Sequence, residues 1–243
     1  MCRADLDALE AAADKLVKKA DKTAVEAAAE NPAINTTITE TTEQLSISFW
    51  DLFMGGGWLM WVLVALAAVM HVPRKTKVSI TAAEGTEILV QQTDNERDFE
   101  PVFYTPEMCL YQEFGKGQWG GTGHRICSTV FDYDNATYSN MVLGEVFNQP
   151  GKWSSYPPHH HPQPEVYYYQ FDKPQGFGAC FVGENVYKSV HGSASYITDG
   201  NDHHQVVASG YEMCYVWMIR HLENDPWIKT RIDDPDHKWL LDV

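Results

Sequence analysis

From Lys77 to the C-terminus the chain is a succession of short apolar segments separated by turn-forming residues, and that pattern restricts it to an all-β architecture. VSI and TEILVQQ come first, followed by MVLGEVF, EVYYYQF, GACFVG, VYKSV, SYIT, HQVVA and EMCYVWMIR, most of them bounded by Gly, Pro, Asp or Asn. β-Branched and aromatic residues suit a pleated, half-buried surface, and the bounding residues supply turns. Many short strands with regular turns predict a sandwich or barrel, whose mouth is a natural place for a ligand. No repeat with a period of about 20 to 50 residues is visible.

One segment speaks about chemistry. Trp153 to Tyr169 reads WSSYPPHHHPQPEVYYY. Side chains alternate along an extended chain, so His159, His161 and Glu165 converge on one side if the strand runs without a bulge, while His160 points away. Pro162 and Pro164 stiffen the spacer and disturb that alternation. Two imidazoles and a carboxylate suit zinc, manganese, iron or nickel with open positions for a substrate. An isolated HxH is more often a solvated run, but here a carboxylate of matching parity and a distant histidine accompany it.

A further ligand is expected from GSASYITDGNDHHQVV, where Gly192 opens a strand, Asp199-Gly200 turns and a histidine pair follows. His203 and His204 face opposite ways if they lie in a strand, so one of the two enters the site and the residues alone leave the choice open.

These residues carry a resemblance. H-x-H-x3-E, followed by G-x5-T-x-G-x2-H from Gly192 to His203, resembles the two metal-binding motifs of the cupin superfamily, with Thr198 where a proline is usual. Within it, GKWSSYPPHHH, EVYYYQFDKPQGFG, GYEMCYVWMIR and DPDHKW resemble the 5-deoxy-glucuronate isomerase family of inositol catabolism, which includes related uronate ketol-isomerases of pectin breakdown. The resemblance implies a cupin-type antiparallel β-barrel, or jelly roll. It makes His159, His161, Glu165 and His203 the ligands of one divalent metal ion, Zn or Mn, and favours His203 over His204. That family has two barrels. Here residues 77–111 read as a remnant of the first and residues 112–243 as the metal-binding domain with its tail.

The chain ahead of this domain differs in kind. Residues 1–45 combine an Ala, Lys, Asp and Glu-rich stretch, with Leu6, Leu9, Ala13, Leu16 and Val17 at helical spacing, and a Thr-rich linker. Residues 46–76 hold an apolar run, Gly55 to Val72, that lacks Asp, Glu, Lys and Arg and has the length of a short membrane span. It resembles the first membrane helix of biopolymer-transport proton-channel subunits. Arg74, Lys75 and Lys77 follow it, which leaves the C-terminal domain in the cytoplasm, anchored to the inner membrane. If the run is instead a buried helix, a soluble cytoplasmic protein is expected.

The formal charge of −15 argues against nucleic acid as a partner, because phosphate binding needs a basic surface. A small anionic sugar acid must then be met by local positive charge. Cys2, Cys109, Cys127, Cys180 and Cys214 are scattered, with no CxxC, which reads as reduced cytosolic usage. If the absent front of the first barrel leaves an apolar face, self-association into a homo-oligomer is expected.

The expected reaction is aldose-ketose isomerisation of a uronate-type sugar acid, by proton movement between neighbouring carbons beside a polarised carbonyl. Tyr167 and Tyr169 share the parity of Glu165 and are candidates to line the pocket. Arg125 and Arg220 are candidates to hold the substrate carboxylate through a bidentate pair. Two other classes fit the same residues: a different metal-dependent cupin enzyme such as a dioxygenase, and a non-catalytic sugar-acid binding module.

Overall fold

The computed structural model describes residues 69–243 apart from residues 83 and 199. The expectations for residues 1–45 and for most of the apolar run lie outside the described residues. The end of that run is described, and it is a strand: β1 (Val69–His71) pairs antiparallel with β2 (Val102–Tyr104). The expected membrane helix therefore does not extend to Val72, and among the described residues no helix is long and apolar enough to cross a membrane.

The expected all-β architecture is observed. Two antiparallel sheets face each other. One is built from β3 (Leu110–Phe114), β4 (Arg125–Phe131), β5 (Met141–Asn148), β7 (Glu165–Phe171), β10 (Ala194–Ile197) and β12 (Met213–Arg220), in the order β10-β7-β12-β5-β4-β3. The other contains β6 (Trp153–His160), β8 (Phe177–Val182), β9 (Asn185–Val190), β11 (His203–Val207) and β13 (Ile232–Asp233), in the order β13-β6-β11-β8-β9. β3 spans residue 111, so it carries the chain across the boundary read between remnant and metal-binding domain.

The sheets hold together through the inward halves of alternating strands. β5 and β7 are buried at every second residue, as a half-buried strand requires. Val142, Tyr169, Cys180, Val207, Met213 and Ile219, drawn from both sheets, form the core. Each large side chain removed from water there contributes roughly 1.5 to 3 kcal/mol. A smaller cluster of Tyr104, Val130, Phe131 and Ala136 lies beside β1 and β2, where the His71 ring stacks on Phe131 at 4.3 Å. Cys109, Cys127, Cys180 and Cys214 are free thiols.

Two segments read as strands, VSI and TEILVQQ, do not form them. Their composition is right, but a strand needs a partner for its ladder, and neither segment has one among the described residues. Val78, Ile80, Ile88, Leu89 and Val90 are consequently exposed. The chain that follows is tied down by side chains instead: Asn95 Nδ2 donates to Tyr138 O at 2.8 Å, Arg97 Nη1 to Thr137 O at 2.9 Å, and Asn140 Nδ2 to Asp94 O at 2.7 Å.

β6 contains Pro157 and Pro158, which cannot donate to a ladder, and the structure accommodates them with a bulge. His203 of β11 pairs with His159, whereas Gln205 pairs with Ser154, so four residues of β6 lie opposite His204. Ser155, at the start of this bulge, adopts a positive φ of 50°. β6 ends at His160, and residues 161–164 turn a corner into β7 of the other sheet.

Candidate metal centre

The corner between the sheets builds the site. His159 is the penultimate residue of β6, His161 sits in the corner, Glu165 opens β7 and His203 opens β11. Continuous strand alternation, the reason for expecting convergence, is thus not how the residues meet; Pro162 and Pro164 lie in a turn that swings the chain from one sheet to the other. Ligand atoms of His161, Glu165 and His203 lie within 4.8 Å of one another, and all three residues are buried. His159 stands beside them, with its ring centroid 4.6 Å from that of His203 and 6.5 Å from that of His161. The pairing of β11 with β6 brings His159 and His203 opposite each other.

The choice between the neighbouring histidines is clear in the geometry. His203 faces inward, whereas His204 faces the other side of its sheet and stacks on Phe181 at 4.4 Å and 12°. His160 also points away and pairs with Asp202 Oδ1 at 2.8 Å.

The hydrogen bonds define what the cluster presents. Each inward histidine places Nδ1 against a backbone carbonyl: His159 on Pro157 O at 3.1 Å, His161 on Gln163 O at 2.8 Å and His203 on Asn201 O at 3.1 Å. A carbonyl only accepts, so Nδ1 carries the hydrogen and a neutral ring presents the Nε2 lone pair inward. His161 Nε2 lies 3.2 Å and His203 Nε2 lies 3.1 Å from Glu165 Oε2. The latter contact lacks hydrogen-bonding geometry, leaving His203 Nε2 buried without a hydrogen-bond partner among the described residues. Buried acceptors crowd together, an arrangement that calls for a cation.

The residues therefore fit a divalent ion, with His161, Glu165, His203 and the adjacent His159 as an N/O donor set and the Nδ1 bonds as the outer support typical of metal-binding histidines. Burial raises the Glu165 carboxyl; when His161 and His203 carry a proton on Nε2 as well, those rings outweigh burial and bring its pKa to about 2. Burial first, and then the neighbouring His203 ring and the Arg231 guanidinium, hold His159 well below the ordinary imidazole value.

Tyr167 reaches the cluster as parity requires, and its hydroxyl donates to Glu165 Oε2 at 2.9 Å. Tyr169 is inward too but lies one step deeper, with its hydroxyl donating to Gln205 Oε1 at 2.7 Å. Arg125 is inward, within electrostatic reach of the Tyr215 and Tyr167 hydroxyls. Arg220 is placed elsewhere. Even-numbered residues of β12 face outward, and its guanidinium lies 3.9 Å from Asp94, on the side of the sheet opposite Glu165.

Three contributors escaped the sequence reading. Ser155 Oγ lies 3.2 Å from the Tyr167 hydroxyl and 3.3 Å from that of Tyr215. Trp227 lies 6.3 Å from the His161 ring, its backbone N–H donating to His221 Nδ1 at 3.0 Å. Arg231 donates to Pro157 O at 2.8 Å. Ser155 shares the odd parity of His159, a signal that was available; neither Trp227 nor Arg231 belongs to any motif.

The chain is similar to known proteins. A protein named 5-deoxy-glucuronate isomerase from Bacillus velezensis is 28% identical over 188 residues, covering 71% of this chain and 66% of that protein. One of the same name from Bacillus licheniformis matches with the same identity and coverage. The chain thus spans slightly less than two thirds of the length of these relatives. Among solved structures, an IolB-like protein from Salmonella typhimurium LT2 superposes with a TM-score of 0.53 at 18% identity, over 59% of this chain and 57% of that one. The model of the KduI/IolB family matches residues 62–240, beginning within the apolar run rather than near Lys77. The chain belongs to the KduI/IolB family.

Proposed function

We propose that this chain is a metal-dependent ketol-isomerase acting on a uronate-type sugar acid, and that the sugar acid is 5-deoxy-glucuronate, the compound in its relatives' names. The observation that carries the reading is the buried convergence of His161, Glu165 and His203, with lone pairs inward and Nδ1 hydrogens bound to carbonyls, in a chain of this family. His159, His161, Glu165 and His203 hold one divalent ion, Zn or Mn. When bound, such an ion supplies Lewis acidity, which makes the hydrogen on the carbon beside a substrate carbonyl easier to remove.

The remaining work falls to side chains. The Tyr167 hydroxyl has one hydrogen and the ionised Glu165 only accepts, so Ser155 donates to Tyr167 and Tyr215 donates to Ser155. Burial, then the Glu165 charge, pushes the Tyr167 hydroxyl well above its ordinary pKa, so it stays protonated. Tyr167 becomes a donor to a substrate oxygen only by turning its single hydrogen away from Glu165, while a chain of hydroxyls behind it keeps the oxygen in place. Trp227 beside His161 helps to exclude water.

The test is elemental analysis of the full-length protein beside a His161→Ala/His203→Ala variant, with isomerisation of 5-deoxy-glucuronate assayed on the same samples. About one divalent ion per chain, lost in the variant together with turnover, is expected. Metal without turnover would make the chain a binding module, and an absence of metal from both samples would overturn the reading.

A further inference from the structure

Two guanidinium groups meet beside the candidate centre, on the bulge that leads into His159. Arg125 Nη2 donates to Tyr156 O at 3.2 Å, and Arg231 Nη2 donates to the next carbonyl, Pro157 O, at 2.8 Å. Pro157 O also faces His159 Nδ1. The two arginines thus hold consecutive peptide units immediately ahead of a candidate ligand. They come from chain segments far apart, one opening β4 and the other lying just before β13.

Both lie on the side of the site. Asp233 pairs opposite His159 across β13 and β6, so the two side chains share a face, and Arg231, two residues earlier in an extended segment, shares it too. Arg125 points inward from β4 toward Tyr215 and Tyr167, with its guanidinium carbon 5.3 Å from the centre of the Phe114 ring.

The charges do not balance. Arg231 Nε donates to Asp233 Oδ1 at 2.6 Å. Arg125 has no carboxylate partner among the described residues, and its other bond goes to the backbone, from Nη1 to Gly123 O at 2.9 Å. Two cations and one carboxylate leave the positive charge of the partly buried Arg125 unmatched among the described residues. Burial, and the Arg231 charge beside it, push the Arg125 pKa down. An enclosed guanidinium without a counter-ion gains most when a ligand supplies one. Each guanidinium has five N–H donors, of which two are committed here, so donors remain on both groups.

We propose that Arg125 and Arg231 together seat the carboxylate of the sugar acid, an inference that rests on reading the centre as a uronate site. Asp233 orients Arg231 and, by pairing with one of the two arginines, reduces the positive charge they offer to a doubly charged phosphate, while their planar forks match a carboxylate. Arg231 is half-exposed, which gives the ligand a way in, whereas Arg125 forms the enclosed end.

The test is calorimetric titration of the full-length protein with D-glucuronate, its methyl ester and glucose 6-phosphate. Wild type is expected to bind the acid in preference to the ester and the phosphate. Arg231→Gln and Arg125→Gln are each expected to lose roughly 10- to 100-fold of the preference for acid over ester, with ester binding unchanged. Arg231→Lys, which keeps the charge but not the planar fork, should retain part of it. A purely structural role for the arginines would weaken acid and ester alike, and that outcome overturns the proposal. Equal binding of acid and ester by wild type, or tighter binding of the phosphate, overturns it too. Isomerisation assayed on the same samples separates the two ideas: acid preference that depends on Arg231, without turnover, keeps the carboxylate seat and removes the isomerase reading.

Discussion

Glu165 accepts the Tyr167 hydroxyl at 2.9 Å from two residues away on the inward face of β7. One strand therefore carries both a candidate ligand and the donor that bonds to it. Tyr167→Phe removes that donor while keeping the ring, which packs 4.8 Å from Tyr215. Turnover of 5-deoxy-glucuronate should fall roughly 10²-fold, mainly in kcat, because a proton donor in the transition state contributes on that scale. Metal content should be unchanged, since Tyr167 is not in the donor set. Steady-state kinetics with elemental analysis checks both halves, and loss of the metal would show that Tyr167 supports Glu165 rather than the substrate.

His203 and His204 are neighbours with different surroundings. His203→Ala should empty the site, whereas His204→Ala should leave metal content intact and lower stability by about 0.5 to 1.5 kcal/mol through the lost stack on Phe181. Metal analysis and thermal unfolding of the two variants separate the roles. Retention of metal by His203→Ala would remove it from the donor set.

The strands that were legible were those whose partners are among the described residues. EVYYYQF becomes β7 with Tyr167 inward and Tyr168 outward, because a period of two survives wherever both neighbours are present. VSI and TEILVQQ are also rich in strand-favouring residues but have no partner among the described residues, and propensity contains no information about what lies alongside. The convergence of the histidines was legible but the path to it was not, since Pro162 and Pro164 make a corner between sheets rather than a stiff continuation. Arg231 was beyond reach for another reason. Its bond to Pro157 O spans 74 residues of sequence, and only the pairing of β13 with β6 brings them together.

Gly144 sits between Thr129 and Trp217 in the middle of the six-stranded sheet. A Cβ there would lie 2.4 Å from the Trp217 ring and 2.5 Å from Ser128 O. Neither neighbour yields easily, one being backbone and the other a large inward ring. Gly144→Ala should therefore destabilise the protein by roughly 1 to 3 kcal/mol, the usual cost of overpacking. Chemical denaturation of the variant checks this, and stability equal to wild type would mean that Trp217 has room to move.

Glu145 and His71 give opposite pH dependences. Glu145 lies on the outward side of β5, between Ser128 and Val216, and has no ion pair among the described residues. Burial raises its pKa from 4.5 to about 7. Between those values the folded state holds a proton that the unfolded chain has released, so stability falls as pH rises from 4.5 to about 7. Burial lowers His71 from 6.5 to about 4, and there the unfolded chain holds the extra proton, so stability falls as pH drops through that window. Glu145→Gln should consequently raise the unfolding temperature at pH 8 and leave it nearly unchanged at pH 4, where wild-type Glu145 is neutral in the folded protein. His71→Phe keeps a ring against Phe131 and should flatten only the acid limb. Thermal unfolding of wild type and both variants from pH 4 to pH 8 separates the contributions. A Glu145→Gln curve parallel to wild type throughout would show that the carboxyl is solvated in the folded state.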